Sequence, residues 1–319
     1  ETPAGIGYGD ELGYVFDTMP TMQRFAQRFD MTFNPCLGNL HTALLKAYKQ
    51  WGGHNNPQIA ILDWREVPTL HEHEITRVYF EKHGSLSILA DPRELEYHDG
   101  HLYKGDFRID IIYKRVLYSE LIEQMGLDNA VVNAIKDRNV FMTNSPSAKL
   151  MAKKASLAFL SDEQNADLFT KAQQAAIKAH IPWTRNVADT KTRYDGKWVD
   201  LLAFISANKD RLVLKPNDEY GGKGVVLGWE CSQEGWDATV HQAVETPHVV
   251  QERVPSVQRD FPTWINGELD ISSRYVDADP YVFGGTDVLG CLTRLSPLAL
   301  LNVTAGGGSV VPAYVLRGK

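Results

Sequence analysis

Residues 212–228, LVLKPNDEYGGKGVVLG, constrain the fold more than any other stretch of the chain. An apolar strand delivers Lys215 and stops at Pro216, which has no N–H to offer a ladder. A glycine-rich loop, Gly221-Gly222-Lys223-Gly224, follows, and then a second apolar strand. Glycines let backbone N–H groups approach phosphate oxygens with no Cβ in the way. A lysine on the adjoining strand neutralises phosphate charge. The segment is not a Walker A loop, because no Lys-Ser/Thr closes it and a strand rather than a helix comes next. A GGxG by itself reads equally as a β-hairpin with a glycine turn. The flanking Lys-Pro and the second apolar strand favour a nucleotide loop.

Three further stretches bear on chemistry. Residues 145–160 read as one helix, capped by Ser145 or Ser147 with Pro146 in the first turn. On a helical wheel Leu150, Met151, Ala155, Leu157 and Ala158 form an apolar stripe with Lys154 near its middle. An inward lysine needs a partner or ligand, unless it snorkels out along its stem. Residues 249–254, VVQERV, read as a buried strand bearing Gln251 and Glu252, either an adenine-reading strand end or an ordinary edge strand. Near the C-terminus, Arg294 is a bidentate phosphate clamp or a strand residue. Asn302 with Gly306-Gly307-Gly308 is a substrate loop or a turn. Asp110, with Arg115 close behind it, is either a substrate-facing strand end of an α/β sheet or part of a structural ion-pair cluster. His71 and His73 alone do not make a metal site.

Strand and helix patterns alternate over residues 55–145. Residues 58–63 (QIAILD), 86–90, 108–113 and 140–143 read as strands, with a helix over 72–83, which predicts a small, mostly parallel α/β lobe. Residues 163–180 read as a second helix. Short strands at 211–215, 224–228, 248–253 and 281–283 predict an antiparallel or mixed α+β region after Lys191. A net charge of -7 argues against a dedicated nucleic-acid binder. No uninterrupted apolar run is long enough for a membrane-spanning helix. Cys36, Cys231 and Cys291 are far apart and form no CxxC, so a reducing, cytoplasmic setting is expected.

Together these segments resemble the ATP-grasp superfamily. The order is Asn144-Ser145-Pro146, Lys153-Lys154, Ile181-Pro182-Trp183-Thr184, Leu214-Lys215-Pro216 with its glycine loop, then Gln251-Glu252-Arg253-Val254. The resemblance implies ATP phosphate contacts for Lys154 and Lys215. It also implies a lid over the phosphates at Gly221, Gly222 and Gly224, and an adenine-holding hinge at Gln251, Glu252 and Val254. Arg294 (catalytic, with Lys215) and Asn302 match a less specific part. Lys153 stands where many members carry Asp or Asn. The opening Glu1–Tyr8, ETPAGIGY, is similar to the segment after the Glu-x-Asn metal motif in the circularly permuted branch, which includes glutathionylspermidine synthase. The Mg²⁺ ligands would fall before Glu1, so no metal ligand is assigned within the chain.

The resemblance implies an α+β, circularly permuted ATP-grasp fold with a small pre-ATP-grasp-like α/β lobe. Its expected segments are 1–54 (permuted N-terminal segment), 55–145 (α/β lobe) and 146–319 (nucleotide-binding region). The implied activity is ligation of a small-molecule or peptide carboxylate to an amine through an acylphosphate, using ATP and Mg²⁺. An inactive ATP-binding module and a small-molecule kinase are the rival readings.

Overall fold

A computed structural model describes residues 1–301 and 308–317, the side chain of Ile265 excepted. The architecture is α+β. The chain divides into two compact units. The first comprises Glu1–Ser147, Arg259–Pro297 and Gly307–Lys319, and the second Ala148–Gln258 and Leu298–Gly306. Among the described residues no helix is long and apolar enough to cross a membrane.

The first unit is built on a parallel sheet of β1 (Ile59–Leu62), β2 (Ser87–Ala90), β3 (Ile111–Lys114) and β4 (Phe141–Thr143), in the order β2-β1-β3-β4. All four residues of β1 are buried because both faces of the sheet are covered. Side chains alternate between faces along a strand, so each strand feeds two cores. Ala60, Leu62 and Ile112 pack with Leu121, Val131 and Met142. Ile59, Ile61, Ile111 and Tyr113 pack with Leu37, Leu44 and Phe80. Asp10 holds the start of the Leu37–Trp51 helix, accepting from the backbone N–H of Cys36 at 2.7 Å and of Leu37 at 2.8 Å.

The strand expected over 108–113 is two strands. Phe107–Ile109 pairs antiparallel with His101–Lys104, whereas β3 pairs parallel with β1. Asp110 sits at the change of direction. Its carboxylate accepts from Gln58 N at 2.9 Å and Asn55 Nδ2 at 3.1 Å and lies 3.0 Å from Arg108 Nη2. The same unit, from Arg259 onward, carries most of an antiparallel sheet of Val257–Ile265, Glu268–Phe283, Asp287–Ser296 and Ser309–Val311, adjacent in that order.

In the second unit β5 (Thr184–Asn186), β6 (Leu212–Pro216), β7 (Val226–Leu227) and β8 (His248–Glu252) form an antiparallel sheet in the order β7-β6-β8-β5. Leu212, Leu214 and Val250 face a core that also holds Leu201 and Ile205 from the helix Leu201–Ala207, and Trp236, Val240 and Ala243 from the helix Gln233–Glu245. Gly228 follows β7 where no side chain fits: a Cβ would lie 1.9 Å from the Lys209 carbonyl oxygen and 2.9 Å from that of Leu212. Gly228→Ala is therefore expected to destabilise the protein by about 1–3 kcal/mol. Gly9→Ala, in the open helix Ile6–Thr18 with nothing within 4 Å of the added methyl, should stabilise by about 0.4–1 kcal/mol. Urea unfolding followed by circular dichroism checks both; equal midpoints would refute the contrast.

Candidate functional site

Because side chains alternate along β6 and β8, the face opposite the helices receives Lys215 and Gln251, and β5 adds Thr184. Gln251 lies opposite Thr184 in register. Its carboxamide is used at both ends: Lys215 Nζ donates to Oε1 at 2.7 Å, and Nε2 donates to Thr184 Oγ1 at 2.9 Å. Thr184 Oγ1 passes the chain on to the Pro182 carbonyl at 2.8 Å. Gln251 and Thr184 are buried, 7% and 0% exposed, so Lys215 is held by a polar row that water scarcely reaches. Burial pushes the Lys215 ammonium below its ordinary range, and the charge of Lys154 pushes the same way.

Lys154 arrives from a helix that breaks. In place of one helix over 145–160 there are two short ones, Ala148–Ala152 and Ala155–Ser161, with Lys153 and Lys154 between them. The apolar stripe does not hold the helix together, since Leu150 and Met151 are 70% and 68% exposed. Asn217, two residues beyond Lys215, bonds the break instead. Its carbonyl accepts from Lys154 N at 3.1 Å and its side-chain oxygen from Ala155 N at 2.9 Å. These are donors that a helix start leaves open. The Lys154 ammonium then reaches the Glu219 carbonyl at 2.6 Å, at the root of the glycine loop. Burial lowers its pKa, against the raising effect of Asp218 and Glu219, while Lys149 lowers it further.

The loop turns on Gly221, Gly222 and Gly224, at φ 61°, 77° and 68°. L-residues avoid this left-handed region, and a Cβ on Gly224 would also stand 2.6 Å from the Pro216 ring. Lys223 is exposed and pairs with Glu219 at 3.0 Å.

Other expected residues fall elsewhere. Glu252 follows Gln251 and so faces the helix side, where Tyr194 Oη donates to it at 2.8 Å and Arg211 Nη2 at 3.3 Å. Val254 is exposed beyond the end of β8. Arg294 lies in the antiparallel sheet of the first unit. Its guanidinium grips Asp277 through two bonds, at 3.1 and 2.5 Å, and reaches Asp279 at 2.9 Å. A phosphate there would have to displace a carboxylate. Asp110 and Arg115 lie at opposite ends of β3. Asn302 lies outside the described residues. Asn217 escaped sequence reasoning, its one signal being that it follows a lysine-proline pair. The second role of Gln251 escaped it too, because cross-strand pairing is invisible without register. Among the described residues no three His, Cys, Asp or Glu side chains converge as a metal site.

No family model matches the chain. It is 26% identical over 252 residues to a putative glutamate–cysteine ligase of Frankia alni, covering 72% of this chain and 27% of that protein. It is 25% identical to a second protein so named, from Frankia casuarinae, covering 96% of this chain and 35% of that one. It is also 26% identical to an uncharacterised protein of Mycobacterium tuberculosis, covering 97% and 55%. The chain thus spans about a quarter to a half of the length of these curated relatives. Among solved structures it is similar to a glutathione synthetase-like effector of Globodera pallida, with a TM-score of 0.49 and 10% identity, covering 90% of this chain and 59% of that one. It is also similar to a D-cycloserine synthetase, with a TM-score of 0.40 and 17% identity, covering 80% and 90%.

Thr184→Val keeps the shape of residue 184 but leaves Gln251 Nε2 buried without an acceptor. It is expected to cost about 1–3 kcal/mol, with Thr184→Ser restoring most of the loss. Denaturant unfolding of the three proteins tests this, and a valine variant as stable as wild type would remove the polar row from the account.

Proposed function

We propose that the second unit binds ATP and serves an ATP-grasp-type carboxylate–amine ligase. The supporting observation is the pair of lysines, Lys154 and Lys215, each depressed in pKa by burial, Lys154 tied to the Glu219 carbonyl at the root of the glycine loop and Lys215, on the strand that leads into that loop, held by Gln251. A polyphosphate is a ligand that raises such ammonium groups back toward their ordinary range. The loop fits it as well, for three left-handed glycines keep side chains off its backbone. In this reading Lys215 leaves Gln251 for a phosphate oxygen, Lys154 holds a second, and the run from Gln251 through Glu252 to Val254 carries adenine. No residue of the described chain is assigned to Mg²⁺, which would supply further phosphate neutralisation when bound.

The reaction proceeds in two displacements. A substrate carboxylate oxygen attacks the γ-phosphorus and ADP leaves, giving an acylphosphate. The amine nitrogen then attacks the acyl carbon and phosphate leaves, giving the amide and releasing a proton. Positioning and charge neutralisation supply the rate. The names of the Frankia relatives put amino acids first among the acids and amines to try.

Lys215→Ala is expected to weaken ATP binding about tenfold or more, the loss of one charge-assisted bond; calorimetry measures it, and unchanged affinity would sink the phosphate role. Because the free lysines sit below their ordinary range and bound phosphate raises them, ATP binding at alkaline pH should take up protons, and affinity should fall as pH rises. Titration in buffers of different ionisation enthalpy reads the sign, and proton release would contradict the assignment. ADP formation that requires both an acid and an amine, with a new amide by mass spectrometry, supports ligation. A stable phosphorylated product without an amine supports a kinase, and binding without turnover a nucleotide module.

A further inference from the structure

The two faces of the antiparallel sheet in the first unit carry different chemistry. Asp277 and Arg294 stand opposite each other in register and share one face, where they pair. Side chains alternate along a strand, so the next pair in register, Val276 and Leu295, lies on the other face. Arg274, two residues from Val276, lies there too, and so does Ser309, opposite Leu295. Arg274 is partly buried, and among the described residues no carboxylate pairs with it.

Arg274, Leu295 and Ser309 line a cavity of about 930 Å³. That is ample for a small organic molecule, since ligand pockets run about 300–1,000 Å³. The rest of the lining comes from the edge strand Val257–Ile265, from the helices Ile6–Thr18 and Pro20–Ala26, and from the stretch 311–316. Every lining residue belongs to the first unit. Five of the fourteen are aromatic, and Arg274 is the only one with a charge, so a ligand meets apolar wall along its length and a single cation. Trp264, on the edge strand, is 72% exposed, an indole that gains from cover. Asp17 touches the wall at Tyr314, whose hydroxyl donates to it at 2.9 Å, but it lines no part of the cavity.

These groups choose among ligands. A polyanion would bring several charges to one guanidinium, and a cation would be repelled by it. A neutral apolar molecule would cover the wall and leave Arg274 without a partner. A monoanion on an apolar body satisfies both, and a carboxylate matches the guanidinium fork through two hydrogen bonds. We propose that this cavity binds an apolar monocarboxylic acid of the fatty-acid type, its carboxylate on Arg274 and its hydrocarbon against the aromatic lining. The site lies in the first unit alone and does not depend on nucleotide.

The test is calorimetric titration of the 319-residue chain, without nucleotide, with octanoate, decanoate and dodecanoate held below micelle formation, and with decyltrimethylammonium as the cationic counterpart. Affinity should rise about fourfold with each methylene added. Decanoate should bind about tenfold or more tighter than decyltrimethylammonium, and Arg274→Gln should weaken decanoate by a similar factor while leaving decanol unchanged. Trp264→Ala should weaken the acids and decanol alike. The proposal is overturned if no acid binds, if affinity is flat along the series, if the cation binds as tightly, or if folded Arg274→Gln keeps wild-type affinity for decanoate. Light scattering should show the same mass for the ligand-free chain and for Trp264→Ala. A dimer that the substitution dissolves would give the cavity to a second copy of the chain and overturn the proposal. Circular dichroism reports whether each variant folds. Should Arg274→Gln fail to fold, the comparison of acid with cation on wild type and on Trp264→Ala decides the matter.

Discussion

Gln251 is the side chain on which the polar face of the second unit depends. A carboxamide has an acceptor at one end and donors at the other, and here both ends are taken, by Lys215 and by Thr184. Three adjacent strands are thereby joined through side chains as well as through their ladders. The arrangement lets a lysine ammonium reside at a buried strand end with a partner in place. It does so with a neutral group, which an incoming anion can replace without separating an ion pair.

Lys154 and Lys215 differ from several other partly buried cations in having neutral partners. In the second unit Lys215 leans on a carboxamide oxygen and Lys154 on a carbonyl oxygen, whereas Arg185 faces Glu163 and Lys149 faces Asp218. In the first, Lys114 faces Glu1, Arg115 faces Glu72 and Arg294 faces Asp277.

Much of this was legible in the chain itself. QIAILD reads as a doubly buried strand because both periods of two are apolar, and it is one. The lysine-bearing strand and the glycine loop were visible because proline and glycine punctuate them. The helix Gln233–Glu245 was missed although Ser232 caps it and Trp236, Val240 and Ala243 recur at helical spacing. The flanking Gly and Pro dominated that stretch. The 145–160 helix was read as continuous because propensity favours it, whereas its break comes from Asn217, remote in sequence. The strand Glu268–Phe283 is exposed over much of its length and so shows little apolar alternation. Asp110 divides two strands by accepting bonds from residues 52 and 55 positions away, which no local pattern announces.

The helix break at Lys153–Lys154 has a bearing on how such a chain can diverge. A lysine presented from mid-helix keeps its place only while the whole helix keeps its length and rotation. Here the backbone of Lys154 is tied to Asn217, two residues from the other lysine, so the two cations share one anchor. The exposed helix Ala148–Ala152 can change in sequence, or gain and lose a turn, while the spacing of the two ammonium groups stays as it is.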